Sequence, residues 1–188
     1  MQMTPRFASA LAYACEIHAG QLRKGTDIPY ISHLLGVTSI ALDHGATEDE
    51  AIGALLHDAA EDAGGAPVIG EIRARFGPAA AEIVASCSDT FETPKPPWRQ
   101  RKKAYIEHLA TASSSVLLVS AADKLHNVRA ITSDYRGIGE AIWARFTGGR
   151  EGTLWYYRAL ADSFLKLNRN RLAEELHLAV RELEQLVG

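Results

Sequence analysis

The sequence predicts an all-α fold, and three observations carry that prediction. Apolar residues recur at helical spacing along most of the chain, no segment alternates strongly enough for a strand, and glycine or proline breaks cut the chain into helix-length pieces. With 188 residues and 47% hydrophobic content, the chain fits a single domain over 1–188, its core at about 6–170 and a C-terminal helix over 169–187.

Arg6 to Ala19 is rich in alanine and places Phe7, Leu11, Ala14 and Ile17 on one helical face. Gly20 to Pro29 is a loop, because Gly25, Thr26, Asp27 and Pro29 are breakers. Tyr30-Ile31-Ser32-His33 leads into a second helix with Leu34, Leu35, Val37, Ile40 and Ala41 on its apolar face, closed by Gly45. Thr47 starts a third helix, where Glu50 completes a capping box. Its period continues to Gly64-Gly65. Pro67 to Phe76 and Ala79 to Cys87 give two shorter helices.

Thr93-Pro94-Lys95-Pro96-Pro97-Trp98 cannot be a helix interior, since each proline removes a donor and restricts its predecessor. Arg99 to Thr111 resumes as a helix with Arg99, Arg101, Lys102 and Lys103 near its start. Cations there oppose the helix dipole, which points to a local anion. Val116 to Ile131 is helical and turns abruptly from apolar to polar at Asp123. Gly137, Gly139, Gly148 and Gly149 mark connections around Ala141 to Phe146. Thr153 to Leu167 and Arg169 to Val187 are amphipathic, the last with Leu172, Leu176, Ala179, Leu183 and Leu186 on one face. That stripe suits a core, or the seam of a homodimer; monomer and homodimer both stand.

A net charge of −3 gives no global signal for nucleic acid or an anionic membrane, so an anionic ligand must be met by a local basic cluster. Cys15 and Cys87 form no CxxC pair and sit in apolar stretches, as thiols of a reducing compartment do. Residues 1–6 lack a signal-peptide pattern, and no apolar run is long enough for a transmembrane helix. The expected setting is the cytoplasm, without nucleic-acid or membrane partners.

The chemistry concentrates in Leu55-Leu56-His57-Asp58-Ala59-Ala60-Glu61-Asp62. On a helix the four polar residues are i, i+1, i+4 and i+5 and point to one side. Burying an imidazole with three carboxylates is costly unless a cation pairs with them. His33, opening the preceding helix, and Asp123, at the polar switch of a later one, complete a mixed nitrogen and oxygen set: His33, His57, Asp58 and Asp123. That set suits Mn²⁺, Fe²⁺, Co²⁺ or Zn²⁺ with open positions for water and substrate. Glu61, one turn after His57, can deprotonate such a water without being a ligand.

His, then His-Asp, then a distant Asp on a helical chain resembles the HD-domain pattern of metal-dependent phosphohydrolases, a helical bundle with the metal site in its core. Gly20-Gln21-Leu22-Arg23-Lys24, Pro29-Tyr30-Ile31-Ser32-His33, the Leu55–Asp62 run, Arg75-Phe76-Gly77 and Ala122-Asp123-Lys124-Leu125-His126-Asn127 resemble, in order, motifs of the RelA/SpoT hydrolase domain. The length resembles that of the small stand-alone alarmone hydrolases. The resemblance implies a Mn²⁺ enzyme that removes the 3′-pyrophosphate of guanosine tetra- and pentaphosphate. It implies metal ligands His33, His57, Asp58 and Asp123, an acidic pair Glu61 and Asp62 beside the metal, and substrate contacts at Asn127, Arg23 and Lys24. Lys124 and the region of Lys95, Arg101 and Lys102 can supply further cations for phosphates. Arg150 and the run Trp155-Tyr156-Tyr157 can close over a base or ribose, with Tyr156 at a position that resembles the family's. Two alternatives remain open: the same chemistry on the adenosine alarmone or on NADPH, and a nucleotide sensor without turnover.

Overall fold

The computed structural model describes residues 2–90 and 94–188. Helix α1 (Pro5–Ile17) begins where the Thr4 side chain accepts from the Arg6 N–H and Pro5 occupies a first-turn position that needs no donor. The loop that follows folds back on itself at an isolated Leu22–Pro29 bridge, and no β-strand occurs among the described residues. Helices α2 (Ile31–Asp43) and α3 (Glu48–Leu56) come next, α3 with the reciprocal Thr47–Glu50 capping box its sequence announces.

The third helix does not run on to Gly64. It stops at Leu56, and a separate turn, α4 (Ala59–Ala63), starts after Asp58. In an unbroken helix the Asp58 N–H would take the Ala54 carbonyl; here that carbonyl accepts from His57 Nδ1 at 2.9 Å. The break therefore comes from a side chain and not from a glycine or proline.

Helices α5 (Ala66–Phe76) and α6 (Pro78–Cys87) follow. Pro94 to Pro97 is non-helical, as expected, while Thr93 of that segment lies outside the described residues. Helix α7 (Trp98–Leu109) carries the basic start, and the anion it calls for is the chain's own: Asp89 accepts from both Arg101 and Lys102. Helix α8 (Ser114–Ile138) has 25 residues, about 37 Å of rise. It overruns the expected end at Ile131, and its last stretch is tied by Arg136 to Glu182 at 2.6 Å. A 3-10 segment over Gly139–Arg145 precedes α9 (Gly149–Leu167) and α10 (Arg171–Val187). The α10 stripe is core at Leu172, Leu176 and Leu183, but Leu186 is exposed.

Helix α8 lies along α10 and α2 and also meets α3 and α6. One apolar core gathers α7 to α10; a second gathers α1, α4 and α5. Helices α2 and α3 contribute to both, so the start of α2, the end of α3 and the middle of α8 meet at the seam. No helix among the described residues is long and apolar enough to cross a membrane.

Candidate active site

Three segments converge at that seam. Helix α2 brings His33, the α3–α4 break brings His57 and Asp58, and α8 brings Asp123. His57 Nε2 stands 2.9 Å from Asp58 Oδ2 and 3.6 Å from Asp123 Oδ1. His33 Nε2 stands 3.5 Å from Asp58 Oδ2 and 3.3 Å from Asp123 Oδ1. Both imidazoles and the Asp123 carboxylate are buried.

Each ring is aimed by its other nitrogen. His57 Nδ1 donates to Ala54, which leaves Nε2 facing the cluster; that Nε2 is buried and makes no hydrogen bond, although Asp58 lies close. His33 Nδ1 is 2.9 Å from His126 Nδ1. The His126 ring reaches it only because position 36 is glycine: a Cβ there would sit 2.3 Å from the ring. Burial, then the neighbouring His33, lowers His126 to about 4, so its ring stays neutral.

The carboxylates are pinned as firmly. Tyr30 donates to Asp58 Oδ2 at 2.6 Å, and burial together with the Asp58 charge pushes the phenol far up, so it remains a donor. Asp123 Oδ1 accepts from Asn127 Nδ2 at 2.5 Å, and Oδ2 from Lys124 Nζ at 2.5 Å. Burial favours neutral carboxyl groups, but Lys124 overrides it at Asp123 and His57 overrides it at Asp58, so both are held well below the usual range. Burial likewise pulls His57 down, and Asp58 and Asp123 override it upward.

These donors fit a divalent ion. Ligand atoms about 2.1 Å from a metal stand about 3.0–3.4 Å apart in cis-octahedral or tetrahedral arrangements, close to the separations seen here. The unpartnered His57 Nε2 is the atom such an ion would satisfy, and His33, His57 and Asp58 all place donor atoms within 4.8 Å of one another. The profile of the HD domain family matches residues 10–154, the whole region that builds this cluster. The chain belongs to the HD-domain family.

Its relatives include the guanosine-3′,5′-bis(diphosphate) 3′-pyrophosphohydrolase MESH1 of Xenopus tropicalis, 38% identical over 64% of this chain and 66% of that protein. The MESH1 protein of Drosophila melanogaster is 32% identical over 66% of this chain and 68% of its own length. The alignments thus span about two thirds of these relatives. A solved structure described as a metazoan ortholog of SpoT that hydrolyzes ppGpp superposes with a TM-score of 0.78 at 26% identity, covering 100% of this chain and 98% of the other.

Around the His/Asp cluster of this HD domain, the remaining expected residues divide. Arg23 Nη2 donates to Asn127 Oδ1 at 3.0 Å, so Arg23 and Asn127 form a chain that ends on Asp123. With Lys24 and Tyr30 they line a cavity of about 220 Å³. Lys24, Lys102, Lys124, Trp98 and Tyr156 line a second cavity of about 240 Å³ that shares Asn127 with the first. Lys102 is held below the usual lysine range by burial and by Lys124, against the pull of Asp89. The buried Tyr156 hydroxyl has no hydrogen-bond partner. Glu61 accepts from Lys95 Nζ at 3.0 Å on the first turn of α4, and Asp62 accepts from Gln21 Nε2 at 2.8 Å.

Arg150 is not brought to the cluster. Its guanidinium donates to the carbonyls of Val187 and Gly188 at 2.8 Å and so caps the end of α10, a partnership set by α9–α10 packing that sequence spacing does not reveal. Trp155 also turns elsewhere, under the Arg99 guanidinium at 3.8 Å. In its place Trp98 walls the second cavity, seated on Gly148 and Gly152, where added Cβ atoms would lie 2.6 and 3.2 Å from its ring. His126, Tyr30 and Asp89 are the functional neighbours that the sequence reading left out. His126 and Tyr30 lie within the motifs quoted for the resemblance, whereas Asp89 carried no signal.

Proposed function

We propose that this HD domain hydrolyses the 3′-pyrophosphate of guanosine tetra- and pentaphosphate, yielding GDP or GTP and pyrophosphate, with Mn²⁺ at His33, His57, Asp58 and Asp123. The observation that carries the reading is the buried, unpartnered His57 Nε2 among converging ligand atoms, set beside two cavities lined by cations. The names of the relatives support the substrate. We place the enzyme in the cytoplasm, acting as one catalytic unit on a small nucleotide; its thiols, Cys15 and Cys87, are free.

A divalent ion supplies Lewis acidity to a phosphoryl oxygen and lowers the pKa of water. The chain's own residues do the rest. Glu61 accepts a proton from the attacking water, and Lys95 holds that side chain in place until then. Asp62, anchored through Gln21 to α1, steadies the same turn. Water adds to the phosphorus borne by the 3′ oxygen, the bond from that phosphorus to the 3′ oxygen breaks, and the proton taken by Glu61 passes to that oxygen to leave a 3′ hydroxyl. Arg23, held by Asn127, and Lys24 neutralise the departing pyrophosphate. Lys102, Lys124 and the free Tyr156 hydroxyl receive phosphate oxygens that do not react.

The test is a substrate panel with Mn²⁺: guanosine and adenosine 3′-pyrophosphates and NADPH, with product identification. Pyrophosphate released from the guanosine alarmone is the expected result. Orthophosphate from NADPH alone, or binding without turnover, would overturn it.

A further inference from the structure

Past the metal cluster, α8 continues with Asn127, Ala130, Ile131 and Asp134, and all four line the cavity of about 220 Å³. Their offsets from Asp123 of 4, 7, 8 and 11 residues keep them on its helix face. Eleven residues (134 − 123) span about 16 Å of axis, the order of length of an extended nucleotide. The walls between are apolar: Ile28, Ile131, Phe146 and Tyr157. The far end is polar, where Arg145 Nη1 donates to Asp134 Oδ2 at 2.7 Å.

That pair is built in place. Arg145 passes beneath Gly25, where an added Cβ would stand 2.7 Å from its Nε, and the Gly25 backbone has φ +73, a conformation that favours glycine. The bond to Arg145 engages one of the two Asp134 oxygens, and the Asp134 side chain keeps 37% of its surface exposed.

We infer that Asp134 reads the base: fixed by Arg145, its carboxylate accepts the N1–H and 2-amino N–H of guanine. This rests on the nucleotide reading above. Guanine carries two adjacent donors on that edge, hypoxanthine keeps one, and adenine offers an unprotonated N1 that a carboxylate repels. The apolar walls take the purine faces. Asp134 is thus a specificity-determining residue, and it lies in the part of α8 that overruns the expected helix end.

Calorimetric binding of guanosine, inosine and adenosine 3′,5′-bisphosphates to the full chain tests this without requiring turnover. The guanosine compound should bind about 10- to 100-fold tighter than the inosine one, the worth of a hydrogen bond to a charged acceptor. Asp134→Asn should bring that ratio close to one while the inosine affinity changes far less; Asp134→Ala serves the same comparison if the first variant does not fold. Equal binding of guanosine and adenosine compounds by the wild type, no binding of either, or an unchanged guanosine-to-inosine ratio in a folded variant would each overturn the assignment. Pyrophosphate release is scored separately. Guanosine-selective binding without turnover sinks the hydrolase and leaves Asp134 standing; turnover with no base preference does the reverse.

Discussion

His33 Nδ1 and His126 Nδ1 lie 2.9 Å apart across the meeting of α2 and α8. One ring donates and the other accepts, so the bond fixes the rotation of His33 and leaves its Nε2 for the cluster. His126→Ala should leave helicity intact and weaken Mn²⁺ binding about 10- to 100-fold, the usual effect of removing the partner of a ligating histidine. Gly36→Ala should act in the same direction by displacing the His126 ring. Metal titration of both variants checks this. Wild-type affinity in both would show that His33 is aimed by something else.

His57 and Glu61 should separate metal binding from proton transfer. His57→Ala removes the buried nitrogen and should lose both metal and turnover. Glu61→Gln keeps the shape of the turn and should retain metal while turnover falls about 10²- to 10⁴-fold, the range of a lost general base. Equilibrium dialysis alongside initial rates distinguishes the two, and equal metal loss would end the division of roles.

Tyr156→Phe should have effects of opposite sign on stability and on binding. In the free protein the phenol oxygen is buried without a partner, a burden of about 1–3 kcal/mol. Its removal should raise the melting temperature slightly. If the hydroxyl meets a phosphate, the same change should raise KM several-fold with kcat little altered. A rise in melting temperature with unchanged KM would show that the cavity at Lys102 and Lys124 takes no part.

Asp89 makes part of the stability acid-sensitive. Its own burial opposes ionisation, but Lys102 and Arg101 prevail and the carboxyl is held below its usual range. A group whose folded pKa is depressed stabilises the fold above its unfolded value, near about 3.9. That contribution is lost as pH falls through the lower folded value. Asp89→Asn should therefore lower the melting temperature at pH 7 and flatten its decline below pH 4. A variant with the wild-type acid slope would refute the assignment.

Three of the four proposed ligands stood out in the sequence because each interrupts an apolar helix with a group that cannot be buried alone, His33 beside Leu34, His57 after Leu56 and Asp123 after Ala122, and Asp58 follows directly on His57. The helix bounds were legible where caps and breakers act locally, as at Thr47 and Glu50. What stayed hidden depends on contacts between distant segments. The break after Leu56 comes from a side-chain bond to Ala54 with no breaker residue to announce it. Arg150 looked like a substrate ligand until α10 supplied carbonyls for it. His126 could be placed only once α2 was seen to present a glycine to it.

The seam position of the cluster has a thermodynamic consequence. His33 and His57 extend from segments of the core built by α1, α4 and α5, whereas Asp123 extends from the core built around α8. Ligation by all of them, as proposed, would add a further tie between the two cores that α2 and α3 already share. Unfolding should then be linked to metal activity, with each tenfold of free ion above the dissociation constant adding about 1.4 kcal/mol. Chelation would loosen the clasp, and the two halves would melt as less cooperative units at a lower temperature.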